Sequence, residues 1–202
     1  MTCEIVLDVE QGSPEWIAMR RGVIGSTKAH NLLTEAKRKT LFKMLFAERV
    51  THSLEEQVQT AAMRNGTENE ASGLARWELE TGLEPTLVGY VWLKGWRNRI
   101  GCSPDALVGE TGIVEVKVPT PRVHCGYVID QDAPDDYKSQ MQFILAITGR
   151  IEAHFVSFCP TVSYPFDYFH KVYQRDEKII DTMLVNAQAI SDKLADYFER
   201  HT

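Results

Sequence analysis

The stretch GCSPDALVGETGIVEVKVPTP, residues 101–121, constrains the fold more than any other part of the chain. Short apolar runs flank the tight turn GETG, which reads as an antiparallel hairpin. Side chains along a strand alternate faces, so Glu115 and Lys117 share one face while Val116 turns into the core. Asp105 stands across the turn, within reach of Glu115. A hairpin that only filled a core would carry Val, Ile or Thr at these places. Two carboxylates and an ammonium beside one turn are costly unless something charged lies among them. The backbone carbonyl of Val116 stays available at the strand edge, completing an all-oxygen donor set of a kind that suits Mg²⁺ or Mn²⁺. A plain surface ion pair between Glu115 and Lys117 is the alternative.

Around this hairpin the apolar period is mostly helical. Ser13 and Pro14 in GSPEW start a helix that should run to about Arg21 and stop at Gly22. A second short helix is expected from Ser26 or Thr27, carrying His30, Leu32 and Leu33. KTLFKMLFAERVTH and TENEASGLARWELETG have helical spacing, the second closing at Gly82. The period then shortens, and PTLVGYVWL, GCSPDALV and GIVEVKV read as three strands. APDDYKSQMQFILAITG returns to helix, with Tyr137, Met141, Ile144, Leu145 and Thr148 on one face and Gly149 as its stop. EAHFVSFCP and YPFDYFHKVY read as strands, and RDEKIIDTMLVNAQAISDKLADYFER as a long amphipathic helix. No repeat or Pro/Gly-rich linker divides the chain. The expectation is one domain over 1–202: a helical part at about 13–82, a sheet core at about 84–175 and a closing helix at about 176–200. Its class is α/β, a mixed sheet flanked by helices.

Charge complicates the choice of partner. The net charge of −6 argues against a polyanion, yet residues 14–52 hold eight Lys/Arg against three acids, a local +5 that leaves −11 for the remainder. A basic face on an acidic body can still steer a polyanion, although any single lysine here is as readily a solvated charge. No apolar run approaches the ~20 residues of a membrane span, and MTCEIVLDVEQG lacks the basic region and apolar core of an export signal. Cys3, Cys102, Cys125 and Cys159 show no CxxC spacing, which favours reduced thiols in a cytoplasmic protein and leaves a disulfide open.

Pro104-Asp105 followed by Glu115-Val116-Lys117 is a PD-(D/E)xK nuclease signature. In such a site the lysine can orient or help deprotonate a water and stabilise charge on a phosphorane-like transition state. Five stretches extend the likeness in order along nearly the whole chain: EWIAMRRGVIGSTKAHNLL, RNGTENEASGLARWELETG, GCSPDALVGETGIVEVKVP, DYKSQMQFILAITGR and RDEKI. Together they resemble the bacteriophage lambda exonuclease family, the alkaline exonuclease and YqaJ-type viral recombinase group.

The resemblance implies a restriction-endonuclease-like core with Asp105, Glu115 and Lys117 catalytic, and with Asp105, Glu115 and the Val116 carbonyl on the metal. It carries the family's helix glutamate onto Glu68, a metal ligand or an indirect support; alone, a first-turn glutamate is equally explained by the helix dipole. Glu70, two residues on, is expected to face elsewhere, into solvent. Gln140 can hold the attacking water or a metal ligand. Gln142, about 200° around the helix, is the weaker candidate, and a solvated glutamine the plain alternative. Arg20 aligns with the family arginine that binds the 5′-phosphate of a DNA end, which a planar guanidinium grips bidentately. Arg21 is an extra phosphate contact or a solvated charge. Where the family reads like ITAS this chain reads IGST, so the phosphate-binding hydroxyl falls on Thr27 with Ser26 as rival; either can equally cap a helix. Ser103 can add a further hydroxyl. Trp16, Trp77, Trp92 and Trp96 read as core, though any one could wedge at a DNA end.

The activity implied is a metal-dependent 5′→3′ exonuclease on linear double-stranded DNA, releasing 5′-mononucleotides and leaving a 3′ single-stranded overhang for recombination by strand annealing. Mg²⁺, or Mn²⁺, is the implied cofactor, with two ions per site. A homotrimer ring around DNA, a single-strand annealing protein as partner and the cytoplasm of a bacterial host complete the expectation, with no membrane involved. Two rivals remain: an endonuclease on the same core, and an inactive protein that only binds DNA ends.

Overall fold

The computed structural model describes residues 2–54, 61–96 and 100–201, with the side chains of residues 61–68 outside the described set. The strands form two sheets rather than the single sheet expected. β1 (Cys3–Val6), β2 (Ile24–Gly25), β4 (Tyr90–Leu93) and β5 (Ile100–Cys102) make a four-stranded sheet in the order β1-β4-β5-β2. β3 (Pro85–Thr86), β6 (Ala106–Val108), β7 (Gly112–Lys117), β8 (Glu152–Phe158) and β9 (Tyr168–Gln174) make a five-stranded sheet in that order. Each is mixed, because β2 runs parallel to β5 and β7 parallel to β8 while the other pairs are antiparallel.

Two stretches expected as continuous strands are each divided between the sheets. PTLVGYVWL becomes β3 and β4, and GCSPDALV becomes β5 and β6. The second break falls at Pro104, which cannot donate a ladder hydrogen bond and so ends the pairing. Asp105 therefore sits where the chain crosses from one sheet to the other, one residue before β6. The expected β6–β7 hairpin is present, with Ala106 opposite Val114 and Val108 opposite Gly112.

The helices are α1 (Pro14–Arg20), α2 (Glu35–Thr51), α3 (Ala61–Thr81), α4 (Pro121–Asp130), α5 (Asp135–Thr148) and α6 (Glu177–His201), with a 3₁₀ helix at Ser26–Leu32. Ser13 caps α1 by accepting the Trp16 N–H at 3.2 Å. α5 packs against β4 and β5 of one sheet and β7 and β8 of the other, so Ser139–Ile147 are all buried. Its sequence promised one apolar face, whereas the helix is buried on every side over this span, Ser139, Gln140 and Gln142 included. β1 and α4 were not expected. No helix among the described residues is long and apolar enough to cross a membrane.

The larger core joins α5, α6, α2 and one face of the five-stranded sheet through residues such as Leu41, Leu45, Ile113, Phe143, Phe155 and Leu194. A smaller core of Trp77, Ala106, Val108, Val114, Val116 and Val156 fills the opposite face beneath α3. Gly73 makes that approach close: a Cβ there would lie 2.7 Å from Val116 Cγ1. The hairpin is thus covered on both sides, and the charged residues at its end are held against two helices.

Candidate active site

Strand alternation decides what the end of β7 offers. Val114 and Val116 face the core under α3, while Glu115 turns toward α5 and is 2% exposed. Lys117 Nζ donates to Glu115 Oε1 at 2.5 Å, and Gln140 of α5 donates its side-chain amide to the same oxygen. Asp105 Oδ2 accepts the Val116 backbone N–H at 2.5 Å. The N–H and C=O of a strand residue point to the same edge, so the Val116 carbonyl also faces the Asp105 side. Asp105, Glu115, Lys117, Gln140 and the Val116 backbone are therefore brought together.

The electrostatics follow from burial. Burial, opposed by Lys117 and reinforced by repulsion from Asp105 and Glu70, leaves the Glu115 carboxyl raised to about 7. Burial also raises the Asp105 carboxyl, against the pull of Lys117 and the Val116 N–H. For Lys117, burial disfavours the charge, but Glu115 and Asp105 outweigh it and hold the ammonium above its ordinary value. Lys117 accordingly serves as a hydrogen-bond donor to Glu115 in this arrangement.

Glu70 corrects the sequence reading. It is half-buried instead of solvent-facing, and its carboxyl is raised first by burial and then by repulsion from Asp105. Glu70, Gly73, Leu74 and Trp77 recur at helical spacing on one face of α3, and Gly73 and Trp77 pack onto the sheet. The face that docks the helix therefore carries Glu70 to the site. The side chain of Glu68 lies outside the described residues.

Glu115 Oε2 tests whether a cation fits. It is buried and has no hydrogen-bond partner among the described residues, a costly state for a carboxylate oxygen unless a positive ligand satisfies it. Two carboxylates and a carbonyl are an oxygen donor set matched to Mg²⁺ or Mn²⁺. Among the described residues, no three or more His, Cys, Asp or Glu side chains stand close enough to hold a metal by themselves. The donor set is thus a carboxylate pair completed by backbone, with Glu70 beside it.

A second group of residues lies at α1. The Arg20 guanidinium sits over the Trp16 ring, 4.0 Å from its centroid. Burial lowers the Arg20 pKa, opposed by Tyr90 and Glu48. The loop after it is braced by α2: Glu48 accepts the Gly22 N–H at 3.0 Å and Lys28 Nζ at 2.7 Å, and Arg49 donates to Gly22 O. Gly22 has φ +62°, and a Cβ there would lie 2.4 Å from Arg49 Cγ, so the position needs glycine. Arg21 donates to His52 O instead of standing free. Ser26 is buried and Thr27 exposed at the start of the 3₁₀ helix, and neither caps it, since Gly25 occupies the cap position. Ser103 accepts the Trp16 Nε1–H at 2.7 Å and gives its single proton to Gly89 O at 3.1 Å. As placed, Ser103 fixes Trp16 and has no proton to offer a phosphate.

Supporting residues went unnoticed in the sequence. Gln11 donates to Val88 O at 3.0 Å and to Pro104 O at 3.1 Å, steadying the residue before Asp105. His124 is fully buried; its Nε2 donates to Phe166 O at 2.7 Å, which leaves Nδ1 to accept the Ser157 hydroxyl at 2.7 Å. Ser157 pairs with Lys117 in register on the neighbouring strand. Gln142, weighed in the sequence as the weaker candidate beside Gln140, instead donates to Gln174 O and accepts the Asp176 N–H, tying the start of α6 to α5. A lone Gln or His carries no spacing signal that distinguishes such a brace from a solvated side chain.

Comparison with known proteins places this geometry in a family. Residues 15–151 match the YqaJ-like viral recombinase domain. The fold is similar to that of LHK-Exo, an alkaline exonuclease from Laribacter hongkongensis, at 31% identity and TM-score 0.85 over 94% of this chain and 97% of that one. The same enzyme in complex with dAMP superposes at 30% identity and TM-score 0.86, with the same coverage. A phage-related exonuclease from Haemophilus somnus 129PT shares the fold at 11% identity and TM-score 0.67, over 89% of this chain and 96% of that one. No curated protein matches the chain. With its PD-(D/E)xK architecture and most of its length matched to that domain, the chain belongs to the YqaJ-like viral recombinase family.

Proposed function

We propose that this protein is a divalent-cation-dependent exonuclease that degrades one strand of linear double-stranded DNA from its 5′ end to 5′-mononucleotides, leaving a 3′ single-stranded overhang for recombination by strand annealing. The observation that carries the reading is the buried, unpartnered Glu115 Oε2 beside Asp105 and Lys117. Asp105, Glu115 and the Val116 carbonyl would hold Mg²⁺ or Mn²⁺, with Glu70 and Glu68 of α3 in support and as the source of ligands for a second ion. When bound, the cation supplies Lewis-acid polarisation of phosphoryl oxygens and lowers the pKa of water.

The protein's own groups divide the remaining work. Lys117, kept protonated by its two carboxylates, orients the attacking water and stabilises negative charge as it develops on the phosphoryl group. Gln140 holds Glu115 in place, and its amide oxygen can accept a hydrogen from that water. Arg20 grips the 5′-phosphate, with Thr27 or Ser26 as the hydroxyl contact. Mononucleotide release agrees with the dAMP complex of LHK-Exo. A homotrimer ring and an annealing-protein partner belong to the same reading.

Linear and covalently closed circular duplexes, each with Mg²⁺ or EDTA, test it. The expected result is hydrolysis of linear DNA alone, only with Mg²⁺, to 5′-mononucleotides. Cutting of circles would make the protein an endonuclease, and binding without hydrolysis would make it an end-binding protein. A 5′-phosphate should speed digestion over a 5′-hydroxyl by about one to two decades, the worth of a charge-assisted contact, and Arg20→Ala should erase most of that gain. Mass in solution should equal three chains.

A further inference from the structure

Arg20 has no hydrogen-bond or ion-pair partner among the described residues, and its guanidinium rests on the Trp16 ring beneath it. The same indole donates from its edge to Ser103 Oγ at 2.7 Å. Ser103 is anchored in turn on Gly89 O, Pro104 O is held by Gln11, and Asp105 follows immediately with its carboxylate on the Val116 N–H. An unbroken set of contacts therefore joins the guanidinium of α1 to the carboxylate at the crossing between the sheets. Its central member is a rigid bicyclic ring with two torsions, already restrained at its backbone by the Ser13 cap.

We propose that Trp16 is a positioning residue that fixes the separation between Arg20 and Asp105, and with it the length of the fragment released from a 5′ end. The proposal rests on the exonuclease reading above. A guanidinium that grips the terminal phosphate and carboxylates that serve hydrolysis determine, by their spacing, which phosphodiester lies at the site. If the ring is removed, Arg20 loses its seat and the terminal phosphate is held over a range of positions. The bond that breaks is still a phosphodiester with water as the nucleophile; only its distance from the end changes.

Trp16→Leu removes both contacts, Trp16→Phe keeps a ring under Arg20 but loses the bond to Ser103, and Ser103→Ala loses that bond from the other side. Each folded variant is compared with the parent on 5′-phosphorylated and 5′-hydroxyl duplex, with released products sized by mass spectrometry and KM and kcat measured separately. Trp16→Leu should lower the 5′-phosphate to 5′-hydroxyl rate ratio by about fivefold, the scale of a partly desolvated cation–π contact. It should also raise KM for the phosphorylated end and release dinucleotides and longer pieces beside mononucleotides. Trp16→Phe should restore most of the ratio yet still broaden the products, as should Ser103→Ala, so failure of the leucine variant to fold leaves two deciding variants. If all folded variants keep the parent's ratio and release only mononucleotides while Arg20→Ala abolishes the ratio, the proposal is overturned and the exonuclease reading stands. If the parent itself shows no preference for a 5′-phosphate, end recognition by Arg20 and the role of Trp16 fall together.

Discussion

Gln140 and Lys117 donate to the same oxygen of Glu115, Oε1, so its other oxygen is buried without a partner. Two donors on one oxygen hold the carboxylate in a single orientation while leaving Oε2 available to a cation. Glu115→Gln keeps the shape and removes the charge. Hydrolysis should fall about a hundredfold or more, as for loss of a preorganised charge-stabilising group. The melting temperature should stay level or rise, because an unsatisfied buried carboxylate oxygen costs ~1–3 kcal/mol. Gln140→Leu should cost about ten- to a hundredfold, in the range for groups that support a metal ligand. A Glu115→Gln protein with near-parental hydrolysis would remove Glu115 from the chemistry.

Gly73 sets how closely α3 approaches β7. A Cβ would lie 2.7 Å from Cγ1 of the buried Val116 and 3.2 Å from Phe158 Cβ, both closer than ordinary van der Waals contact. Gly73→Val should therefore destabilise the protein by ~1–3 kcal/mol, the usual cost of overpacking. It should also raise the Mg²⁺ concentration needed for half-maximal hydrolysis, since Glu70 rides on the same face. Denaturant titration and a Mg²⁺ titration check the two effects separately.

His154 and His170 stack with their rings 5.2 Å apart and share a hydrogen bond of 3.0 Å, while Trp77 Nε1 donates to His154 Nδ1 at 3.3 Å. With Nδ1 of His154 accepting, Nε2 of His170 is the donor between the rings. Burial depresses both, His170 to about 4, with His154 adding repulsion there. A depressed folded pKa contributes stability that is present above the unfolded value of about 6.5 and is lost as pH falls through about 4. Thermal melts from pH 7 to pH 4 should show this loss, and His170→Phe, which keeps a ring in the stack, should flatten it. An unchanged slope would mean that other groups dominate acid unfolding.

What was legible in the sequence was local. The β6–β7 hairpin announced itself through alternation around GETG, and α5 through its period and its Gly149 stop, where the N–H bonds Leu145 O at 3.0 Å. The division into two sheets was not legible, because strand partners are chosen by distant packing. Pro104 was the one local sign of it. α4 was concealed by Gly126 and by the β-branched Val123, Val128 and Ile129, all weak helix formers, although Pro121 after Thr120 is a recognisable helix start. The charged residues that the structure brings together were legible where chemistry stood out against the pattern, as with Asp105, Glu115 and Lys117. Braces such as Gln11 and His124 were not, since their roles exist only once distant segments meet.

Glu70 shows how the docking face of a helix can supply a charged group to a site. The docking face is set by bulk and its absence: Trp77 is fully buried, Gly73 admits Val116, and Leu74 packs beside them. Glu70 continues that row and lies in the field of Asp105 and Lys117. A carboxylate there adds negative charge that disfavours the metal-free state and favours a bound cation. Glu70→Gln should consequently weaken Mg²⁺ binding about tenfold or more, read by calorimetry or by the metal concentration that restores hydrolysis. The metal-free protein should become no less stable, because one source of repulsion has gone. Glu68→Gln tests, by the same readouts, the supporting role proposed above for that residue. If Glu70→Gln left Mg²⁺ binding at the parental level, Glu70 would be removed from the cation site, however closely its face of α3 approaches the sheet at Gly73.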